Sequence, residues 1–264
     1  MQNHSFYDAY KFEKGSVTKV SDPLTIEAPL QISVNEEPYT VVMQTPGAEI
    51  ELATGLLFAE NVIHDFEKIK VTTTNKKGFI TEINVTTDES NLADGYLSTR
   101  SLLSVSSCGI CGKREIQDID FGGKPLEKVG TFSQHQIQQA HQAFNQQQEL
   151  FQLTGGCHGI SIFNAQLECL ATFEDIGRHN ALDKAVGFCI QNKTLDQAKL
   201  IAFSGRVSFE IVSKAFRAKI PVISAVSAPS SLAVEMAKDV GITILGFTRD
   251  NRFTVYSNPS NITI

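Results

Sequence analysis

Cys108 and Cys111 lie in the stretch Ser104-Val-Ser-Ser-Cys108-Gly-Ile-Cys111-Gly-Lys113-Arg114. Small Gly and Ser neighbours leave two thiols accessible two residues apart, and the cations behind them favour thiolate, the nucleophilic form. The pair suits sulfur transfer or disulfide exchange, and a lone CxxC also supplies half of a zinc site. Cys157 and His158, in Gly155-Gly-Cys-His-Gly159, are the further candidate ligands, but adjacent residues rarely reach one ion together. Zinc-deaminase chemistry wants a Glu two residues after the first ligand and a Pro-Cys-x-x-Cys later in the chain. Neither follows Cys157, so that chemistry is excluded. A thioredoxin-type centre would start a helix in a βαβ unit, which the Gly and Ser surroundings of this CxxC do not suit.

A second set of residues suits anions. Ser204-Gly205-Arg206, the stretch 224–227 and Gly246-Phe247-Thr248-Arg249-Asp250-Asn251-Arg252 each follow an apolar run that reads as a strand. Gly lets backbone N–H groups approach a phosphate, and Arg grips one bidentately. A carboxylate, Asp175 or Asp250, could read the base of a nucleotide. In Glu174-Asp175-Ile-Gly-Arg178-His179-Asn180, Arg178 leans towards an anion. His179 suits either a proton-carrying or phosphate contact or a helix cap. Cys169 and Cys189 fall on element faces, where a buried, inert thiol is expected.

These residues must be carried by elements. Alternation over 24–28 and 31–34 predicts two paired strands, a turn at 35–38 and a third strand over 39–43. Thr45 as N-cap and Pro46 at the first helical position predict a helix to about Glu60, with Ile50, Ala53, Leu56 and Leu57 as its stripe. Strands follow at 69–73 and 79–85, and residues 88–130 show little periodicity, so the CxxC falls on a long loop over 101–130. Ser133 with Gln136 forms a capping box for a helix whose apolar face runs through Ile137, Ala140, Phe144 and Phe151 to Gly155-Gly156. Strands at 159–163 and 167–172, a helix around 181–189, then strand 200–203, helix 207–218, strand 221–225, helix 229–240 and strand 242–247 predict a largely parallel sheet with helices on its faces. Ligands of such sheets gather beyond the carboxyl ends of the strands, where the Gly, Ser and Arg segments sit. The expected fold is therefore α/β (α+β overall): a β-rich N-terminal subdomain with one helix over 1–100, a mobile loop over 101–130, and an αβα domain over 131–264.

The totals are ordinary for a soluble globular protein. At 264 residues and 42% hydrophobic, it buries a sizeable core. No apolar run reaches the roughly 20 residues that span a bilayer, and the first residues lack a signal-peptide pattern. A net charge of −6 argues against nucleic acid and anionic membranes as partners. Five cysteines without an export signal point to reduced thiols in the cytoplasm.

With these residues, the chain resembles the formate dehydrogenase accessory sulfurtransferase (FdhD) family. The likeness runs through Thr45-Pro-Gly47, Cys108-Gly-Ile-Cys-Gly112 and Thr154-Gly-Gly-Cys-His-Gly159. It continues in Glu174-Asp-Ile-Gly-Arg-His-Asn-Ala-Leu-Asp-Lys184, Ser204-Gly-Arg206 and Ser227-Ala-Pro-Ser-Ser231. The resemblance implies a sulfur relay. A cysteine desulfurase hands sulfur as a persulfide to Cys108, with Cys111 auxiliary. The sulfur passes to a molybdenum or tungsten bis(molybdopterin guanine dinucleotide) cofactor, bound as substrate and destined for formate dehydrogenase. It assigns cofactor contact to Phe247, Thr248, Arg249, Asp250, Asn251 and Arg252, and the reading of the residues themselves adds Arg206, Arg178, His179 and Asp175 behind them. It further implies a C-terminal domain like the cytidine deaminase fold without its zinc, no permanently bound metal, and a homodimer. A cofactor carrier without sulfur chemistry and a structural-zinc module are the alternatives.

Overall fold

The architecture comes from a computed structural model that describes residues 3–76, 78–99, 124–127 and 130–263. Cys108, Cys111 and nearly all of the expected 101–130 loop lie outside the described residues.

The chain opens with a two-stranded ribbon, β1 (His4–Glu13) paired antiparallel with β2 (Ser16–Thr25). A four-stranded sheet follows in the order β4-β3-β6-β5, from β3 (Ala28–Val34), β4 (Glu37–Gln44), β5 (Lys70–Lys76) and β6 (Phe79–Thr86). Asn35 and Glu36 both take positive φ, which a two-residue hairpin between β3 and β4 demands. One face of this sheet packs on α1 (Glu49–Ala59) through Leu30, Ile32, Ile83, Leu52 and Leu57, all fully buried. The short helix α2 (Asp94–Thr99) follows.

Two expectations fail here. Residues 24–28 are not a strand: they join the end of β2 to the start of β3, whose partners are β4 and β6. Thr45 does not cap α1, because Gly47 and Ala48 both take positive φ (104° and 70°) and delay the helix to Glu49.

The second half builds a six-stranded sheet in the order β13-β12-β11-β10-β8-β9. Phe132–Ser133 forms β7, which pairs with β14 (Ile262–Thr263) near the chain end. Ser133 then caps α3 (Gln134–Gln146) in the expected reciprocal box with Gln136. The apolar face is not one helix: α3 stops, and α4 (Glu149–Thr154) starts afresh, leaving Phe151 45% exposed before Gly155 ends it in the left-handed region. The sheet strands are β8 (His158–Phe163), β9 (Cys169–Asp175), β10 (Leu200–Phe203), β11 (Val222–Ala225), β12 (Thr243–Arg249) and β13 (Arg252–Val255). Between them run α5 (Arg178–Gln191), α6 (Phe209–Arg217) and α7 (Ser231–Val240).

In this sheet only β10, β11 and β12 pair in parallel; β8 is antiparallel to both of its neighbours, β9 and β10, and β13 returns antiparallel along β12. The sheet is mixed rather than largely parallel. Side chains of a strand alternate between faces. Leu200 and Ala202 accordingly enter the core under α3, while Ile201 and Phe203 enter the core under α5, α6 and α7. Both faces being covered, β10 and β11 are buried throughout; β10 is wholly apolar, and β11 is interrupted only by Ser224, whose hydroxyl is hydrogen-bonded.

The two halves meet where α1 crosses α5. A Cβ on Gly55 would lie 1.9 Å from the Asp183 carbonyl oxygen, and one on Gly187 would lie 1.9 Å from that of Glu51. Glycine at both positions lets the backbones touch. Beside this crossing Asp183 receives Lys214 Nζ at 2.6 and 2.7 Å.

Candidate functional site

Because β10, β11 and β12 run parallel, their carboxyl ends share one edge of the sheet, as expected from sequence. Backbone bonds knit that edge: Val226 N–H donates to the Phe203 carbonyl at 2.9 Å, and Phe247 N–H to that of Ser227 at 3.3 Å. The antiparallel β8 begins at the same edge, so His158 and Gly159 stand beside Ser204. Gly159 N–H donates to Ser204 Oγ at 2.9 Å.

β12 and β13 are joined by a hairpin turn at Asp250 and Asn251, whose φ values of 50° and 60° suit a type I′ turn. Arg249 and Arg252 are direct partners across it, so their side chains leave the same face of the ribbon, and both are exposed. Like charges directly opposite repel. An anion between them would relieve that repulsion. Gln134 Nε2 holds the turn by donating to the Asn251 carbonyl at 2.8 Å. Phe247 sits in a bulge with φ 55° and is 40% exposed, its ring 6.5 Å from that of Tyr256. Thr248 differs from the rest of the segment. Its side chain is buried, with Oγ1 3.0 Å from Ser224 Oγ, which is 2.8 Å from His141 Nε2. The Thr248 hydroxyl thus belongs to the core under α3 rather than to a ligand surface.

Asp175 is also committed to the fold. Its Oδ1 accepts from Gly177 N–H at 2.8 Å and Asn180 Nδ2 at 3.0 Å. Its Oδ2 accepts from Thr45 N–H at 3.0 Å and is 2.6 Å from Lys184 Nζ. The carboxylate is fully buried and carries four donors, so none of its usual lone-pair positions is open to a nucleobase. Thr45, expected as a helix cap, instead receives Ile176 N–H on its hydroxyl at 3.1 Å and Lys184 Nζ on its carbonyl at 2.6 Å. The Thr45-Pro-Gly and Glu-Asp-Ile-Gly-Arg-His-Asn motifs are therefore two sides of one buried contact.

Arg178 starts α5 at the same edge of the sheet, its Cβ 3.4 Å from where a Cβ on Gly205 would lie. His179 Nε2 is 3.1 Å from Glu210 Oε2 and 3.3 Å from Ser208 Oγ, bracing α5 on α6. Arg206 and Asp250 are exposed.

Cys157 donates its thiol to Glu174 Oε1 at 3.4 Å, and burial together with that carboxylate pushes its pKa far above the ordinary thiol range. Glu174 also accepts Leu150 and Phe151 N–H at 2.8 Å each, at the start of α4. Among the described residues, no group of three or more His, Cys, Asp or Glu is placed to hold a metal ion. Cys189 is buried as expected, with its thiol pushed up to about 11 by burial, whereas Cys169 is exposed at the edge strand β9. Among the described residues no helix is long and apolar enough to cross a membrane.

The pattern of the FdhD/NarQ family matches residues 25–263, which leaves out only the ribbon and the chain ends. The chain belongs to the FdhD/NarQ family. A "Sulfur carrier protein FdhD" of Sulfolobus acidocaldarius is 37% identical over 257 residues, covering 96% of both chains. One of Mycobacterium bovis is 38% identical over 260 residues, covering 92% of both. A solved structure from Desulfotalea psychrophila, described as a formate dehydrogenase accessory protein, superposes with a TM-score of 0.79 over 99% of this chain and all of that one. At 22% identity that likeness speaks for the shared mixed α/β fold alone. The FdhD/NarQ match thus spans both sheets and the segment between them.

Proposed function

We propose that this FdhD/NarQ chain is a sulfur carrier for the maturation of formate dehydrogenase. Cys108 thiolate attacks the terminal sulfur of a cysteine desulfurase persulfide, becomes Cys108–S–SH and releases the desulfurase thiolate. Cys111 thiolate then attacks Cys108 Sγ. One S–S bond forms as another breaks, and the outer sulfur leaves as sulfide to the molybdenum or tungsten of the bis(molybdopterin guanine dinucleotide) substrate. The sulfane sulfur is reduced, the two thiols are oxidised to a disulfide, and cellular thiols reset the pair. The reaction belongs in the cytoplasm, where those thiols are kept reduced, and the protein acts as a homodimer.

The observation that carries this reading is the exposed Arg249–Arg252 pair, held across a tight turn at the sheet edge where parallel-strand proteins bind ligands. Two guanidinium groups on one face suit the diphosphate of a guanine dinucleotide, and the exposed Phe247 ring beside them suits its base. Relatives named as sulfur carriers, alignable over nearly the whole chain, support the choice of Cys108 over a passive carrier or a zinc module.

In a strain lacking the native protein, Cys108→Ala abolishes formate dehydrogenase activity, whereas a passive carrier would retain it. Arg249→Ala with Arg252→Ala weakens guanosine diphosphate binding by calorimetry about tenfold or more. Unchanged affinity would put the pocket elsewhere.

A further inference from the structure

The first residue of α5 and the first residue of β8 meet beside the end of β10, and their polar groups are incompletely used. Arg178 is half-buried, and its Nε is wholly buried with no hydrogen-bond partner. Every carboxylate on the adjoining elements is already engaged. Asp175 holds Lys184 and three N–H donors, Glu174 holds α4 and the Cys157 thiol, and Glu210 holds His179. Among the described residues Arg178 forms no ion pair. The helix it starts, 14 residues long, has neither a capping side chain nor an acid in its first turn, so its positive end adds to the same field.

His158 faces Arg178 from the sheet side. Ser204 Oγ accepts Gly159 N–H at 2.9 Å, which leaves its own proton to point at His158 Nδ1, 3.4 Å away. With the Ser204 hydroxyl donating to Nδ1, the imidazole proton would sit on Nε2, for which no partner is seen among the described residues. Burial, and then the neighbouring Arg178 cation, push the His158 pKa below the ordinary value, with Asp175 opposing, so the ring is neutral. The sheet thus offers a neutral N–H donor beside a guanidinium that forms no ion pair among the described residues. A Cβ on Gly205 would lie 3.0 Å from Phe203 and 3.4 Å from Arg178 Cβ, so glycine keeps the floor between them low.

We propose that Arg178 and His158, oriented by Ser204 and floored by Gly205, form an oxyanion notch that takes a phosphate-type group. Arg178 supplies charge and the outer N–H groups of its guanidinium, the Nε lying inaccessible beneath them; His158 supplies a neutral Nε2–H that selects an acceptor oxygen without adding charge. That the phosphate belongs to a guanine dinucleotide rests on the proposed function; the notch itself does not.

The test titrates inorganic pyrophosphate into the full-length chain by calorimetry at fixed ionic strength. Arg178→Gln, Arg178→Lys and His158→Leu each weaken binding by about tenfold or more, the loss of one charge-assisted or directed hydrogen bond. Arg178→Lys is informative because it keeps the charge and removes the planar guanidinium fork. Thermal melts check that each variant is folded. In the wild-type protein, nitrogen-15 spectra show His158 protonated on Nε2 alone, and that N–H resonance moves on adding pyrophosphate. Wild-type affinity in all three folded variants, no binding to the wild-type chain, or an Nδ1–H tautomer would each overturn the notch. Persulfide loading of Cys108 is measured on the same samples. Its failure with pyrophosphate binding intact strikes the sulfur reading and spares the notch.

Discussion

At the scale of single residues, the Asp175–Lys184 pair ties the two halves of the chain together beside the sheet edge. Both side chains are essentially inaccessible, and their partners on Thr45 come from the N-terminal half of the chain. A buried pair adds little net stability against an apolar replacement, but breaking one leaves an uncompensated charge that costs about 3–5 kcal/mol. Asp175→Asn is therefore expected to lose about that much in urea unfolding, with part recovered in the Asp175→Asn, Lys184→Met double variant. A loss below about 1 kcal/mol would show that the pair is not what joins the halves. The acid looks available for a base because its neighbours in sequence are polar. The competing donor, Thr45 N–H, lies 130 residues earlier, a distance no local pattern conveys. Arg178 and the Arg249–Arg252 pair are legible in the sequence, since Gly, Ser and Arg recur after strands. His158 as an anion contact is not, because that part depends on a neutral ring and on Ser204, which belongs to another strand.

Among the elements, the crossing of α1 and α5 is the tightest junction. Gly55→Ala drives a Cβ into the Asp183 carbonyl, so the helices must separate. We expect a loss of about 1–3 kcal/mol, the usual range for overpacking, read from the denaturant midpoint. An unchanged midpoint would mean the crossing yields freely. The C-terminal alternation of strands and helices is readable because four-residue apolar runs such as Leu200–Phe203 are bounded by Lys199 and by Ser204-Gly205. The ribbon is not readable. Its aromatic residues alternate as a buried strand's would, yet Phe6, Tyr10 and Phe12 are 57%, 69% and 78% exposed, and Pro23 sits inside β2. The start of α1 escapes sequence reasoning for a different reason: Ala48 adopts a left-handed conformation that nothing in its side chain announces.

Across the whole molecule, acid should loosen the layer between α3 and the six-stranded sheet. His141 is buried against Ser224, and burial lowers its pKa to about 4. The unfolded chain binds the proton from about pH 6.5 downward, while the folded one does not until about pH 4. Stability is thus complete above the unfolded value and falls by up to about 3 kcal/mol between those limits. His141→Gln, which cannot titrate, should flatten that portion of the pH profile. Parallel profiles for the two proteins would place the acid sensitivity elsewhere. This layer carries Thr248 and Ser224 directly beneath the Arg249–Arg252 turn, so its integrity bears on ligand binding as well as on folding. In the proposed relay sulfur transfer turns on Cys108, and mass spectrometry of the intact chain after incubation with cysteine and a cysteine desulfurase reads its modification without any later step. The expected spectrum shows one added sulfur, mapped to Cys108, lost on mild reduction and absent from Cys108→Ala. An unmodified Cys108, or sulfur carried instead by Cys111 or Cys169, would contradict the relay.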